Sequence, residues 1–590
     1  MRIELNSRPS VASARSGRTQ ALRSFASRLH VSARFKPDGL RRTAKGSIIA
    51  TVSVLLWLAV PTLASAQVQL DRFYPPVVSV GNTTTVKAEG KFPKWPVKAV
   101  LDRDDVEVII EKDSGQLSVK LPADAAPGIA WIRLFDDASA SKLVPLLIES
   151  AAAIEEVEPN QKIAEATPIS LPAVAYGRLA KSNEIDTFRV QLKQGQTFVA
   201  TTFANRPLGS PMDAVMQLVD EHGNVMAQAD DDRGIDPQLV YEPEEDRELW
   251  VRIFAFPEVP TGTIGYAGSA SFVYSIRMTQ DAYVDHVLPL VLPVNAVASD
   301  TTPFGWNLPP KYDLHHSLVT DHSPRIAHLA ASLGWQWQTS LPHDAVVVSE
   351  SKDSGFAIAA SLPCVFSGHM SEANDVDRLR LQAEPAKRYR AELHSRAFDL
   401  PLDSQLRVIH VADGSELARN DDVSRGQYDS VVEFTAKEAS ELELQVSDLV
   451  DGHSARHAYS VVISEVLPAV DLTVGEDHFA TGKEGIVEIP VAIARKHGFS
   501  QELTISAEGL PEGIKAESVV SESKGDSSKS VKLKLVADKT TSFQGPFRIT
   551  ARPTADADKT AEAITYTAIH SLRDVVTTQS LWLTVPAAKQ

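Results

Sequence analysis

Glu156-Val-Glu-Pro-Asn-Gln161 and, further on, Glu184-Ile-Asp-Thr-Phe188 bound the stretch whose reading decides the fold. Beyond it the chain alternates apolar and polar residues in short runs. Phe188-Arg-Val-Gln-Leu192, Thr197-Phe-Val-Ala200, Asp213-Ala-Val-Met-Gln-Leu-Val219, Leu249-Trp-Val-Arg-Ile253 and Tyr274-Ser-Ile-Arg-Met278 are the clearest. Gly195 and Asp220-Glu-His-Gly223 stand between them as turns. A period of two bounded by turn residues predicts strands with one buried face. The same order of residues returns later. Gly368 answers Gly177 and Asp377 answers Asp186 at an offset of 191, while Leu402-Asp403 answers Met212-Asp213 and Asp421-Asp422 answers Asp231-Asp232 at 190. Several matches in register indicate a duplication. The second copy has no Glu-x-Glu-Pro-Asn opening, and Leu379 replaces Phe188. Any site built from the opening is therefore expected in the first copy and absent from the second.

Working outward, 590 residues exceed what one core can organise. The expected fold class is all-β, a string of β-sandwich domains. The expected divisions are a signal peptide at 1–66, a sandwich at 67–150, the first copy at 151–280, a linker or degenerate module at 281–353, the second copy at 354–465 and a last sandwich at 466–590. Val106-Glu-Val-Ile-Ile-Glu111 and Trp131-Ile-Arg-Leu134 carry the strand pattern of 67–150; Val487-Glu-Ile-Pro-Val-Ala-Ile493 and Val531-Lys-Leu-Lys-Leu-Val536 carry that of the last module. Within 281–353, Ser323-Pro324 ahead of Arg325–Leu333 and Gly334 has the cap, first-turn proline and closing glycine of a short helix.

The order Glu-Pro-Asn, Gly177, Asp186-x-Phe188, Gly195, Met212-Asp213, Gly223, Asp231-Asp232 and Tyr274-x-Ile276 resembles the bacterial pre-peptidase C-terminal (PPC) domain. That family is a β-sandwich found beside secreted peptidases and in surface proteins with no peptidase. Tyr74-Pro75-Pro76 and the turn Ala126-Pro-Gly128 give 67–150 a looser likeness to Ig-like TIG modules, and Gly509-Leu-Pro-Glu-Gly513 does the same for the last module with Ig-like envelope domains. In some PPC-type domains of secreted collagenases an acidic opening of this form holds calcium. The resemblance therefore implies Ca²⁺ ligands at Glu156, Glu158, Asn160 and Asp186, with Asn183 as a fifth. Hard oxygen donors from separated segments suit an ion that takes six to eight oxygens. Gln161 departs from the family by standing where an acid is expected. The competing reading is a solvated linker and a strand-start turn.

The first 66 residues hold eleven Lys or Arg against Glu4 and Asp38, then the apolar run Ile48–Val60 and Ala64-Ser-Ala66. This is the layout of a secretory signal cleaved after Ala66; an uncleaved anchor is the alternative. Removing that +9 takes the formal charge from −17 to −26. So acidic a chain excludes a phosphate-tracking surface, and no nucleic-acid partner is expected. The expected location is secreted, periplasmic or cell surface, with no membrane span after cleavage. The sole cysteine, Cys364, precludes an intramolecular disulfide and reads as a small buried residue.

Other clusters are weaker. Asp230-Asp-Asp232 and Asn420-Asp-Asp422 read as turns. Asp313, His315, His316, Asp321, His322 and His328 fit no zinc spacing. Trp335 and Trp337 would share one face of a strand. Gly-x-Ser-x-Gly, Walker and Rossmann patterns are missing from the sequence. The expected function is a non-catalytic secreted or envelope binding and structural protein, its partner an extracellular polysaccharide or protein. The rival is an accessory subunit or cryptic member of a secreted peptidase or hydrolase system.

Overall fold

The computed structural model describes residues 67–259, 265–291, 301–310, 327–328, 335–336, 345–350, 358–424, 426–436, 438–554, 564–573 and 576–587. These are nearly all β and form a series of β-sandwiches. None of their helices is long and apolar enough to cross a membrane.

Each copy of the repeat is a pair of five-stranded sheets closed on one core. In the first copy, one sheet runs Thr167–Ile169, Asp186–Leu192, Arg247–Pro257, Met212–Val219 and Val225–Ala229 in spatial order. The other runs Gln238–Tyr241, Phe198–Phe203, Val273–Thr279, Ala173–Arg178 and Ala152–Glu155. The second copy repeats both orders strand for strand, from Ile358–Ala360 through Glu416–Asn420 and from Val431–Thr435 through Val346–Ser349. The second copy therefore starts ahead of the boundary expected at 354. Alternation explains the registers: in Asp186–Leu192 Phe188, Val190 and Leu192 point into the core while Arg189 and Gln191 stay exposed. A one-residue slip would turn all three core side chains to solvent, so burial fixes the pairing. Leu379 takes the place of Phe188, since each pairs with the first strand of its sheet in the same register.

A second shared device holds the turn after Phe198–Phe203 and its counterpart Arg388–His394. Asp236 accepts the backbone N–H groups of Ala204, Asn205 and Arg206, and Asp429 accepts those of Ser395, Arg396 and Ala397. Three donors that no ladder reaches are satisfied by one carboxylate.

The described part of 281–353 corrects two expectations. Tyr283–Leu288 and Thr302–Trp306 form an antiparallel hairpin, and this hairpin is built into both copies. Tyr283 bonds Thr201 of the first copy at 2.9 Å. Asp285 pairs with Arg233 of the first at 2.9 Å and with Arg456 of the second at 3.1 Å. Where a short helix was expected, Ala327–His328 pairs with Trp335–Gln336 as strands; capping signals alone rarely sustain so short a helix. The remainder of that helix, Trp337, Asp313, His315, His316, Asp321 and His322 lie outside the described residues.

The flanking modules are sandwiches of two four-stranded sheets at Gln69–Glu149 and of a four- and a six-stranded sheet at Ala469–Val585. They meet each other. Arg133 and Asp477, both buried, pair at 2.8 Å, and Asp477 also accepts Leu143 N–H at 2.9 Å and contacts His478 at 2.7 Å. Phe135 packs on Trp582 with ring centres 4.9 Å apart. The outer face of the Phe198–Phe203 and Val273–Thr279 strands is buried as fully as the inner one. Phe203 and Val174 there share a cluster with Val77, Ile129 and Trp131 of the first module.

Candidate functional site

The site lies where the chain leaves the edge strand Ala152–Glu155 and crosses to the facing sheet. Glu156 N–H still bonds the Tyr176 carbonyl, so the first acid is held by the end of the ladder. Its Oε1 accepts Arg178 N–H at 2.7 Å. Its Oε2 accepts the Tyr274 hydroxyl at 3.0 Å and Asn160 Nδ2 at 3.2 Å. Tyr274 also reaches Asp186 Oδ2 at 2.6 Å. A phenol has one proton to donate, so the two carboxylates compete for it. A Cβ at Gly177 would collide with Glu156 and with the Tyr274 hydroxyl. Only glycine lets the strand pass so close to both.

Glu156, Glu158 and Asp186 offer oxygens within 4.8 Å of one another. Two ligands on opposite sides of a calcium ion stand about 5 Å apart, twice the usual metal–oxygen distance. Asn160 is fully buried, and its Oδ1 has no hydrogen-bond partner; neither has the buried Asp186 Oδ1. Buried oxygens left unpaired carry a desolvation cost that a cation would relieve. Burial, followed by the Glu156 charge, pushes the Asp186 carboxyl up to about 10. Burial and the charges of Glu156 and Glu184 raise Glu158 as well. Such crowding of acids disfavours the fully ionised state unless positive charge is supplied. The donor set thus fits a hard divalent cation: all oxygen, mixed carboxylate and amide, drawn from two segments.

Asn183 stands apart from this set. It is exposed, adopts a left-handed backbone conformation, and its Oδ1 accepts Tyr266 N–H at 3.2 Å. Glu184 is buried, with Oε2 accepting Lys181 N–H at 3.0 Å, and acts on the cluster through its charge. A second acidic group, Asp220, Glu221 and His222, is a solvent-facing turn whose Asp220 caps His222 and Asn224 N–H groups. Asp230 and Asp421 each cap the next residue, and Asp232 accepts Gln238 N–H, as expected of turns. Cys364 is buried, and burial pushes its thiol up to about 12.

The second copy was expected to keep Asp377 alone. The structure corrects this. Tyr459 reaches Asp377 at 2.7 Å, and Glu350 occupies the place of Glu156, accepting His369 N–H at 3.0 Å beneath Gly368. Glu350 lies 194 residues beyond Glu156, not 190 or 191, because the connection to the next strand is shorter. That drift hid it from the repeat. Tyr274 and Tyr459 were legible as strand markers but not as the donors that bind the acids.

Fold and site together define a class: a series of β-sandwich modules with an acidic cluster at the edge of one duplicated unit. No protein-family model matches the chain, and no curated protein matches it. Among solved structures it is similar to the pre-peptidase C-terminal domain of a collagenase from Bacillus anthracis, at 14% identity and a TM-score of 0.16, covering 18% of this chain and 95% of that one. It is also similar to the M60 catalytic domain with two CBM51 domains of ZmpB from Clostridium perfringens, at 9% identity and a TM-score of 0.14, covering 65% of this chain and 48% of that one. Likenesses this slight carry no functional argument.

Proposed function

We propose that this chain is a non-catalytic, exported binding and structural protein of the envelope or extracellular space. Its PPC-like first copy would hold calcium, and its ligand would be an extracellular polysaccharide or protein. The observation that carries the reading is the pair of buried, unpartnered oxygens on Asn160 and Asp186, set among Glu156 and Glu158. Glu156, Glu158, Asn160 and Asp186 would be the ligands, and Tyr274 would orient two of them. Bound calcium would neutralise the acids and tie the opening loop to the strand Asp186–Leu192. The acidic charge and the secretory layout of the first 66 residues support export.

The test is an array of polysaccharides and matrix proteins, collagen included, probed with the full chain in calcium and again in chelator. Saturable capture of one ligand class, with no turnover of it, is the expected result. Hydrolysis of a captured ligand that survives repurification and is abolished by an active-site inhibitor would replace this reading with the enzymatic one.

A further inference from the structure

A cavity of about 220 Å³ opens where three modules meet. Asp71, Arg72, Trp131 and Lys142 come to it from the first module, Ser210 and Ser271 from the first repeat copy, and Leu572 closes it from the last. Clefts between modules are the usual place for small-ligand sites, and an apolar wall with a few convergent polar groups is their usual lining. At ~30 Å³ per water the space equals roughly seven waters, too little for a drug-sized molecule and enough for one small ring.

Two of the polar groups, Arg72 and Lys142, are cationic. Arg72 is oriented by Nη1, which donates to Glu89 and to the Ala270 carbonyl at 3.2 Å each, leaving Nη2 and Nε without a protein partner among the described residues. Lys142 is exposed, and its ammonium has no ion-pair partner among the described residues. Arg72 shares the Glu89 carboxylate with Arg178, at 3.2 and 2.9 Å, and Lys142 adds a cation, so three positive groups stand against Asp71 and Glu89 on a chain of net charge −17. Such a spot concentrates anions by contrast with its surroundings. Asp71 accepts only Gln69 Nε2, on Oδ1, so Oδ2 is open to a hydroxyl. Trp131 is mostly buried, and its indole N–H has no protein partner among the described residues.

We infer that this junction binds a single sugar ring bearing a carboxylate, such as a hexuronate unit. Arg72 and Lys142 take the carboxylate, Asp71 takes ring hydroxyls, and Trp131 supplies the apolar wall. Charge-assisted bonds from a guanidinium and an ammonium are the strong contacts in such a set. The inference deepens the binding reading above by naming a ligand class and a place; it does not depend on calcium.

The experiment is calorimetric titration of the full chain with sodium glucuronate, glucose and sodium acetate, repeated on Lys142→Gln and Trp131→Phe. Lys142 is exposed, so its variant should fold; Trp131→Phe keeps an aromatic wall while deleting the indole N–H. Saturable glucuronate binding, weaker by roughly tenfold or more in Lys142→Gln and not matched by glucose or acetate, is the expected result. Equal binding of glucose removes the carboxylate from the proposal, and equal binding of acetate removes the sugar; either overturns it. So does silence with glucuronate, or binding that Lys142→Gln leaves untouched. Capture of an array ligand that persists in Lys142→Gln while glucuronate fails would discard this cavity and leave the binding reading standing.

Discussion

The two repeat copies share ten strands, one topology and a tyrosine bonded to a strand-start aspartate, yet differ in what surrounds that pair. In the first, Glu158 and Asn160 complete a cluster with unpartnered oxygens. In the second, the tyrosine–aspartate–glutamate core persists, and Asp377 has no unpartnered buried oxygen. The outer sheet faces diverge as well. Trp250 stands in register with Glu443, and Phe254 packs on Tyr266 with ring centres 4.3 Å apart. Around Glu443 the second copy instead carries Arg378 and Arg380 as ion-pair partners at 3.6 and 4.0 Å. The lesson is that the Tyr–Asp pair belongs to the fold and the added acid and amide to the site. Inward positions conserve the architecture between copies, while edges and outer faces are free to differ.

The largest effect that bears on this comparison is in the cores. Phe188→Ala should cost about 3–5 kcal/mol. Hydrogen exchange should show the loss in peptides of 151–280, with protection at 358–465 unchanged. Equal loss of protection in both copies would mean that the cores are not independent.

Calcium comes next. A ligand that binds only the native state adds roughly 2.7 kcal/mol at a hundred times its Kd, enough to raise a melting temperature by several degrees. The rise should appear as slowed exchange in the first copy alone and should vanish in Glu158→Gln. Asp377→Asn should leave it intact. Mg²⁺ should substitute poorly, since it demands a stricter octahedron. Slowed exchange around Glu350 and Asp377 would show that the residual triad suffices to bind, and would erase the distinction between the copies.

The third effect is a pH slope. Burial pushes Asp377 up to about 7 from an ordinary 3.8. The folded second copy therefore binds a proton that the unfolded chain has already released, and the contribution of Asp377 to stability falls as pH rises from about 4 to about 7, then levels off. Asp377→Asn, which stays neutral, should flatten that segment of the denaturation profile. A wild-type profile that rises through the same window would contradict the assignment.

Much of this was legible in the sequence. Alternation gave the strands, and the in-register glycines and aspartates gave the duplication, because inward side chains and close approaches are fixed residue by residue. The oxygens of Glu156, Glu158 and Asp186 do converge, whereas Asn183 is engaged with Tyr266. What could not be read arises between segments. Glu350 was displaced by a shorter loop. Asp236 and Asp429 each serve three backbone donors about thirty residues earlier in the chain. The hairpin Tyr283–Trp306 looked like a linker because its partners, Thr201, Arg233 and Arg456, lie on other modules. No local periodicity encodes a contact of that kind.

The contact between the flanking modules has a mechanical consequence. Arg133 and Asp477 are 344 residues apart in sequence and in direct contact, so tension applied between the first and last modules has two routes. One runs covalently through both repeat copies; the other crosses a patch of ion pair and tilted rings. The patch shares the load with the longer route for as long as it holds. Breaking it means exposing a buried charge on each side, a short-range and brittle resistance. Once it yields, the duplicated sandwiches carry the whole load, so the junction works as a mechanical shunt across the modules it closes.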